Sequence, residues 1–328
     1  MNLGPGFTMS SSSSATSLNT ATRHEHRVPL STYVGLGGAV LIWAANWAMT
    51  RRVLPDISTL SFVAYRFLTA APFMLLLTLP MRQSLLPRRG ERLPLALIGI
   101  VQIAGSQFFS TVGLQFVPAG RTVVLLYTMQ LWALPLGWLV NREHISLRTL
   151  CGGAVGFLGL FLFFNPRAMN WRDSQVLIGN CLCLSAGLSW ALGACLYRLR
   201  KWQTPFWTQT FWQVMWTAAV VAPLLLGPQR ATHWTAPVMA MIAYNGIACT
   251  ALAWWWWGKA LSVMPAARAG QIVTLVPVIA VIIGAVWAGE PMTPGTAVSV
   301  ILICLGIVLA LRGRQSVLAP PANQARQL

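Results

Sequence analysis

The chain is short of acid. Six Asp and Glu stand against 23 Lys and Arg in 328 residues, and only 9% of side chains are charged, where soluble domains carry about a quarter. Metal centres and general acid–base sites need clustered carboxylates, imidazoles or thiolates. Here the acids are dispersed, and His24, His26, His144 and His233 stand at no metal-ligand spacing. Cys151, Cys181, Cys183, Cys195, Cys249 and Cys304 all lie in apolar stretches without a C-x-x-C pair, so they read as small core residues. No cofactor or metal is called for, and an enzyme would lack its parts. No carboxylate lies deep in an apolar run, so the buried proton relay that coupled carriers commonly use is missing.

What is plentiful is apolar sequence, 56% of residues. It falls in blocks of about twenty residues, long enough to cross a hydrocarbon layer of about 30 Å. The pattern predicts an all-α integral membrane protein with ten spans, at 32–50, 58–79, 93–115, 119–140, 148–165, 175–197, 206–226, 236–258, 266–288 and 294–312. Residues 1–31, with Ser10 to Ser14 and no apolar core, read as a disordered tail rather than a signal peptide. Residues 313–328 form a second polar tail. A net charge of +17 would suggest nucleic acid in a soluble protein. These cations sit between the apolar blocks instead, where they set orientation. With the N-terminus inside, sixteen of the 23 fall on the cytoplasmic side and six outside, leaving Arg66 within a span. Both termini are therefore expected in the cytoplasm, with the lipid bilayer as partner and no nucleic acid. Oligomeric state is left open.

The chain also repeats itself at an offset of 147 residues. Trp43 pairs with Trp190, Gly99 with Gly246, Pro118 with Pro265, Arg121 with Arg268, Glu143 with Glu290 and Gly159 with Gly306. Residues 32–165 and 175–312 are thus two copies of one five-span unit. An odd number of spans places the second copy upside down, and inverted repeats mark secondary transporters that bind between the copies.

Within that frame a few residues stand out. Arg66 lies in the second span, where a guanidinium must meet protein, water or an anion; Asp56 or a backbone carbonyl are candidate partners, and substrate attraction or gating is the other reading. Polar or aromatic side chains inside spans mark candidate cavity walls: Trp43, Asn46, Gln107, Tyr127, Gln130, Trp190, Gln271 and Thr274. Each can instead be a helix-to-helix hydrogen bond. The expected walls are spans one, four, six and nine. Glu143 and Glu290 end spans four and nine, where each can cap the next helix or serve a gate. Arg121 and Arg268 open those spans and either snorkel to the interface or guard the two mouths. Gly152, Gly156, Gly159 and Gly306 predict close packing of spans five and ten.

These blocks together resemble the drug/metabolite transporter superfamily, in particular its EamA-type members. The resemblance covers about residues 32–312 and rests on Ile42-Trp43-Ala44 and Ser189-Trp190-Ala191, Tyr65-Arg66-Phe67, Gly113-Leu114 with Pro118-Ala119, Ala260-Leu261 with Pro265-Ala266, and Glu143 and Glu290. It implies ten helices in two inverted repeats and export of amino acids, metabolites or toxic compounds across an inner or plasma membrane. The sequence departs from the pattern where Pro277 has Gln130 in the first copy and Arg66 has Gln213 in the second. The competing readings are a membrane receptor or scaffold without transport, and a membrane-embedded enzyme.

Overall fold

The computed structural model describes residues 28–142, 146–164, 173–228, 230–264, 266–290 and 292–318, and among these there is helix and no strand. In chain order the helices are α1 (Leu30–Val53), α2 (Thr59–Met81), α3 (Arg89–Gly113), α4 (Ala119–Asn141) and α5 (Leu147–Phe164). The second copy gives α6 (Ser174–Arg198), α7 (Phe206–Leu226), α8 (Ala236–Val263), α9 in two pieces (Ala266–Val273 and Leu275–Ala288) and α10 (Pro294–Leu318). Among the described residues eight helical stretches are long and apolar enough to cross a membrane. Of the other two, α5 is apolar but shorter, and α1 is 24 residues long but less apolar. Large apolar side chains point outward, among them Trp138, Phe161, Val286, Ile301 and Leu305, as a lipid-facing surface requires.

Helix starts follow local chemistry. The Ser58 hydroxyl accepts the Ser61 N–H at the head of α2, and Asp173 accepts from Gln175 and Val176 at the head of α6. Two helices then leave the α-helical ladder at matching places. α3 carries a π-helical stretch over Gly99–Gly105 and α8 one over Tyr244–Leu252. α4 breaks at Thr128 and α9 at Thr274. In α9 the cause is Pro277, which cannot donate to the carbonyl four residues back. No proline stands near Thr128; there the Thr128 hydroxyl bonds the Leu125 carbonyl at 2.6 Å and competes with the ladder.

The main packing partners of most helices come from the other copy. α1 lies against α8 and α9, α6 against α3 and α4, α2 against α7 and α8, and α5 against α10. The two copies therefore share one core rather than forming separate bodies. The α5–α10 contact is backbone on backbone: a Cβ on Gly306 would fall 2.3 Å from Gly156 N, and one on Gly152 would fall 2.4 Å from Ala310 N. In lipid such small-residue contacts supply the close packing that holds helices together. A second pair of close approaches obeys the repeat: Gly99 meets the Gln213 backbone and Gly246 the Arg66 carbonyl, at 2.8 and 2.9 Å from a Cβ built on each glycine.

Candidate functional site

Arg66 lies about 10 Å along α2 from Thr59, from a rise of about 1.5 Å per residue, and is 6% exposed. Its Nε donates to Thr250 Oγ1 on α8 at 3.1 Å, and its Nη1 donates to Gln107 Oε1 on α3 at 2.6 Å. The sequence offered Asp56 or a main-chain carbonyl as partners; neither satisfies it, and two neutral side chains do. Among the described residues no carboxylate comes within ion-pair distance of this guanidinium, and the ion pair between Arg51 and Glu290 is elsewhere.

The bonds continue away from Arg66. The Thr250 hydroxyl donates to the Asn245 carbonyl at 2.8 Å, five residues back, a reach natural to the π-helical stretch they occupy. Asn245 Nδ2 in turn donates to Thr50 Oγ1 at 3.4 Å, and the Thr50 hydroxyl to Asn46 Oδ1 at 3.2 Å. Gln107, Arg66, Thr250, Asn245, Thr50 and Asn46 thus form one buried polar line across α3, α2, α8 and α1. The expected walls were α1, α4, α6 and α9; of these, only α1 takes part in this line.

Several polar atoms along it are unpaired yet not sealed. Arg66 Nη2, Gln107 Nε2 and Asn46 Nδ2 donate to no described residue, and none is among the fully enclosed orphan atoms. The Tyr127 hydroxyl on α4 is in the same condition. At membrane depth such atoms are tolerated where water or a ligand reaches them. By contrast, Asn245 Oδ1 and Gln130 Oε1 are enclosed without a partner.

The remaining predicted residues fall into separate groups. Trp43 Nε1 donates to the Cys249 carbonyl at 2.9 Å, tying α1 to the π-helical stretch of α8. The Ser189 hydroxyl does the same from α6 to the Val101 carbonyl of α3, at 2.6 Å. Both partners sit one residue from strict repeat register. Trp190 meets Trp254 edge to face at 5.9 Å, one turn beyond Thr250. The other tryptophans of that run diverge: Trp255 packs on Trp207, and Trp256 on Gly35 and Gly38. The Thr274 hydroxyl is occupied by the Gly270 carbonyl at 2.9 Å, and Gln271 beside it is partly buried. Neither is hydrogen-bonded to the Arg66 line.

The charged helix ends are resolved one by one. Glu290 does not cap the helix that follows it. Its two oxygens accept the Ala119 and Gly120 N–H groups at 2.6 and 2.9 Å, at the positive end of α4. Gly289, with φ of 65°, ends α9 in the left-handed region and turns Glu290 back, its N–H bonding the Gly284 carbonyl. Arg51 stands 4.0 Å away, and Arg52 lies over Trp287 at 3.7 Å. Arg121 lies 5.6 Å from the Phe163 ring, and exposed Arg268 the same distance from Tyr33. Glu143 lies outside the described residues. One latch had no sequence signal: buried Glu91, at the start of α3, accepts the Gln203 and Thr204 N–H groups at 2.8 and 2.9 Å ahead of α7. Consecutive helices run antiparallel, so the Glu91 and Glu290 latches close opposite ends of the bundle. Among the described residues no cluster of His, Cys, Asp or Glu is placed to hold a metal.

The sequence profile of the EamA-like transporter family matches the chain twice, at residues 30–165 and 177–312. The chain is 25% identical over 279 residues to an uncharacterized transporter, YoaV, of Bacillus subtilis, covering 84% of this chain and 95% of that one. It is 24% identical over 290 residues to a protein of Salmonella typhimurium named "Probable amino-acid metabolite efflux pump", with 84% and 92% covered. A solved crystal structure shares the fold at a TM-score of 0.65, with 16% identity over 88% of this chain and 99% of the other.

Proposed function

From its membership in the EamA-like transporter family, which makes this chain a multi-pass membrane transporter rather than an enzyme, we propose that it exports small amphipathic metabolites by alternating access. Ten helices cross the inner (plasma) membrane as two inverted five-helix repeats, with both termini in the cytoplasm. The substrate sits beside the Arg66 line, near Trp43, Tyr127 and Trp190.

The observation that carries this reading is the polar line itself. It lies within helices long enough to span a membrane, draws side chains from both copies, and leaves donors that have no partner among the described residues and are not fully enclosed. Small-molecule sites combine a few oriented polar groups with apolar and aromatic walls, and the tryptophans supply the latter. A site between inverted repeats is the place both sides of the membrane can reach as the halves rock. The Glu290 and Glu91 latches suit such rocking, because each ties the two copies together at one end only. Arg121 and Arg268 then flank the two mouths.

The test is release of metabolites from cells overexpressing the protein against cells lacking it, repeated with the purified protein in liposomes. Protein-dependent efflux down the solute's own gradient, without an imposed pH or sodium gradient, is expected. Release in cells that is absent from liposomes would refute direct transport.

A further inference from the structure

We propose that the transported solute is a small organic anion whose negative group completes the Arg66 site; this rests on the transport reading above. Arg66 is always charged, and a charge at membrane depth is expensive unless it is paired. Its two hydrogen bonds go to neutral oxygens, and no described carboxylate reaches it. The Phe67 ring lies 5.5 Å from the guanidinium carbon, and Nη2 has no hydrogen-bond partner among the described residues and is not among the fully enclosed atoms. Gln107 Nε2 lies on the same side chain that receives Nη1, and it too has a free donor. A planar guanidinium edge with a neighbouring amide N–H is a receptor for a carboxylate or a phosphate, which accept such paired donors.

The acid shortage sharpens the choice. Of the six acids, Glu25 and Glu143 fall outside the described residues, and Asp56, Glu91, Asp173 and Glu290 all sit at helix ends or loops. A zwitterion's ammonium would find no counter-charge beside Arg66 among the described residues, so a net anion is favoured over an amino acid. The repeat supports a specific receptor. The backbone features recur in both copies, yet the mates of Arg66, Gln107 and Thr250 are Gln213, Trp254 and Ile103. The polar line exists once, so it is no part of the backbone scaffold that the two copies share.

The released metabolites themselves serve as the probe. Compounds whose release depends on the protein are identified by mass spectrometry, sorted by charge at pH 7, and loaded into liposomes holding the purified full chain. We expect net anions, moved at least tenfold more slowly by Arg66→Gln inserted at wild-type levels, with Arg66→Lys retaining part of the rate. The neutral amide of the same compound should move equally slowly through wild type and Arg66→Gln. Release of neutral, cationic or zwitterionic solutes overturns the anion inference and leaves transport standing, as does an anion moved by Arg66→Gln at the wild-type rate. Should Arg66→Gln fail to insert, the charge of the solutes moved by wild type decides alone. If nothing is released, and neither benzoate, benzamide, phenylalanine nor benzylamine crosses faster than in protein-free liposomes, the transport reading itself falls.

Discussion

Glu290→Gln tests whether one carboxylate latches α9 to α4. Glu290 receives the N–H groups of Ala119 and Gly120, the first two residues of α4. First-turn amides have no partner inside their own helix, so their protection from solvent exchange rests on this side chain. The amide variant keeps one acceptor and turns an NH2 toward the other donor. One charge-assisted hydrogen bond is lost, about 1.5–3 kcal/mol, together with about 0.3–1 kcal/mol of attraction to the helix dipole. Arg51 changes this little, because its side chain is 40% exposed and such pairs are worth about 0–1 kcal/mol. At least about 2 kcal/mol should go, roughly thirtyfold in an opening equilibrium. Hydrogen exchange read by mass spectrometry on a peptide spanning residues 117–126 is the assay. Two amides should exchange about thirtyfold faster, with peptides from α5 and α10 unchanged. A change of less than about threefold would show that something other than Glu290 protects them and that Glu290 does not latch α9 to α4.

Three further outcomes follow from the same geometry. Gly306→Val should abolish monodisperse folding in detergent, because its Cβ meets the Gly156 backbone at 2.3 Å; Gly37→Val, which meets nothing within 4 Å, should elute as wild type. Trp43→Phe removes the Nε1–H donor to the Cys249 carbonyl and should cost about 0.5–1.5 kcal/mol, seen as a modest fall in melting temperature. A reporter active only outside the cytoplasm should stay dark when fused after Arg314; a bright signal would reverse the orientation drawn from the cation count.

Much of the scaffold was legible because apolar length and loop punctuation are one-dimensional signals. The offset of 147 residues carried the repeat, and the glycines of α5 and α10 announced their contact. Pro277 announced the break in α9, but nothing announced the one at Thr128, which a hydroxyl makes without a proline. The π-helical stretches left no mark either, so the pairing of Thr250 with Asn245 five residues back could not be read. Arg66 stood out by depth alone, and Gln107 by polarity; Thr250 resembles many threonines that merely bond their own helix. The partner of Glu290 lies 170 residues away in sequence, beyond any local capping rule, and Glu91 has no repeat mate to reveal it.

The backbone around Arg66 is repeated but the polar line is not, and moving the charge separates the two. If Arg66 were a scaffold element, its charge should be movable to the mate position by combining Arg66→Gln with Gln213→Arg. The backbone would receive it alike, since Gly99 approaches Gln213 as Gly246 approaches Arg66. The side chain would not be received alike. By register it would meet Trp254 and Ile103 where Arg66 meets Gln107 and Thr250. Arg66→Gln alone has already lost both hydrogen bonds, so what the double variant adds is an arginine without acceptors at membrane depth, which costs about 2.5–3.5 kcal/mol; it should be less stable than Arg66→Gln alone by about that much. Thermal unfolding of both variants in detergent, beside efflux in liposomes, measures this. A double variant as stable and as active as wild type would mean that the position of the cation is immaterial, and that the polar line does not hold the solute.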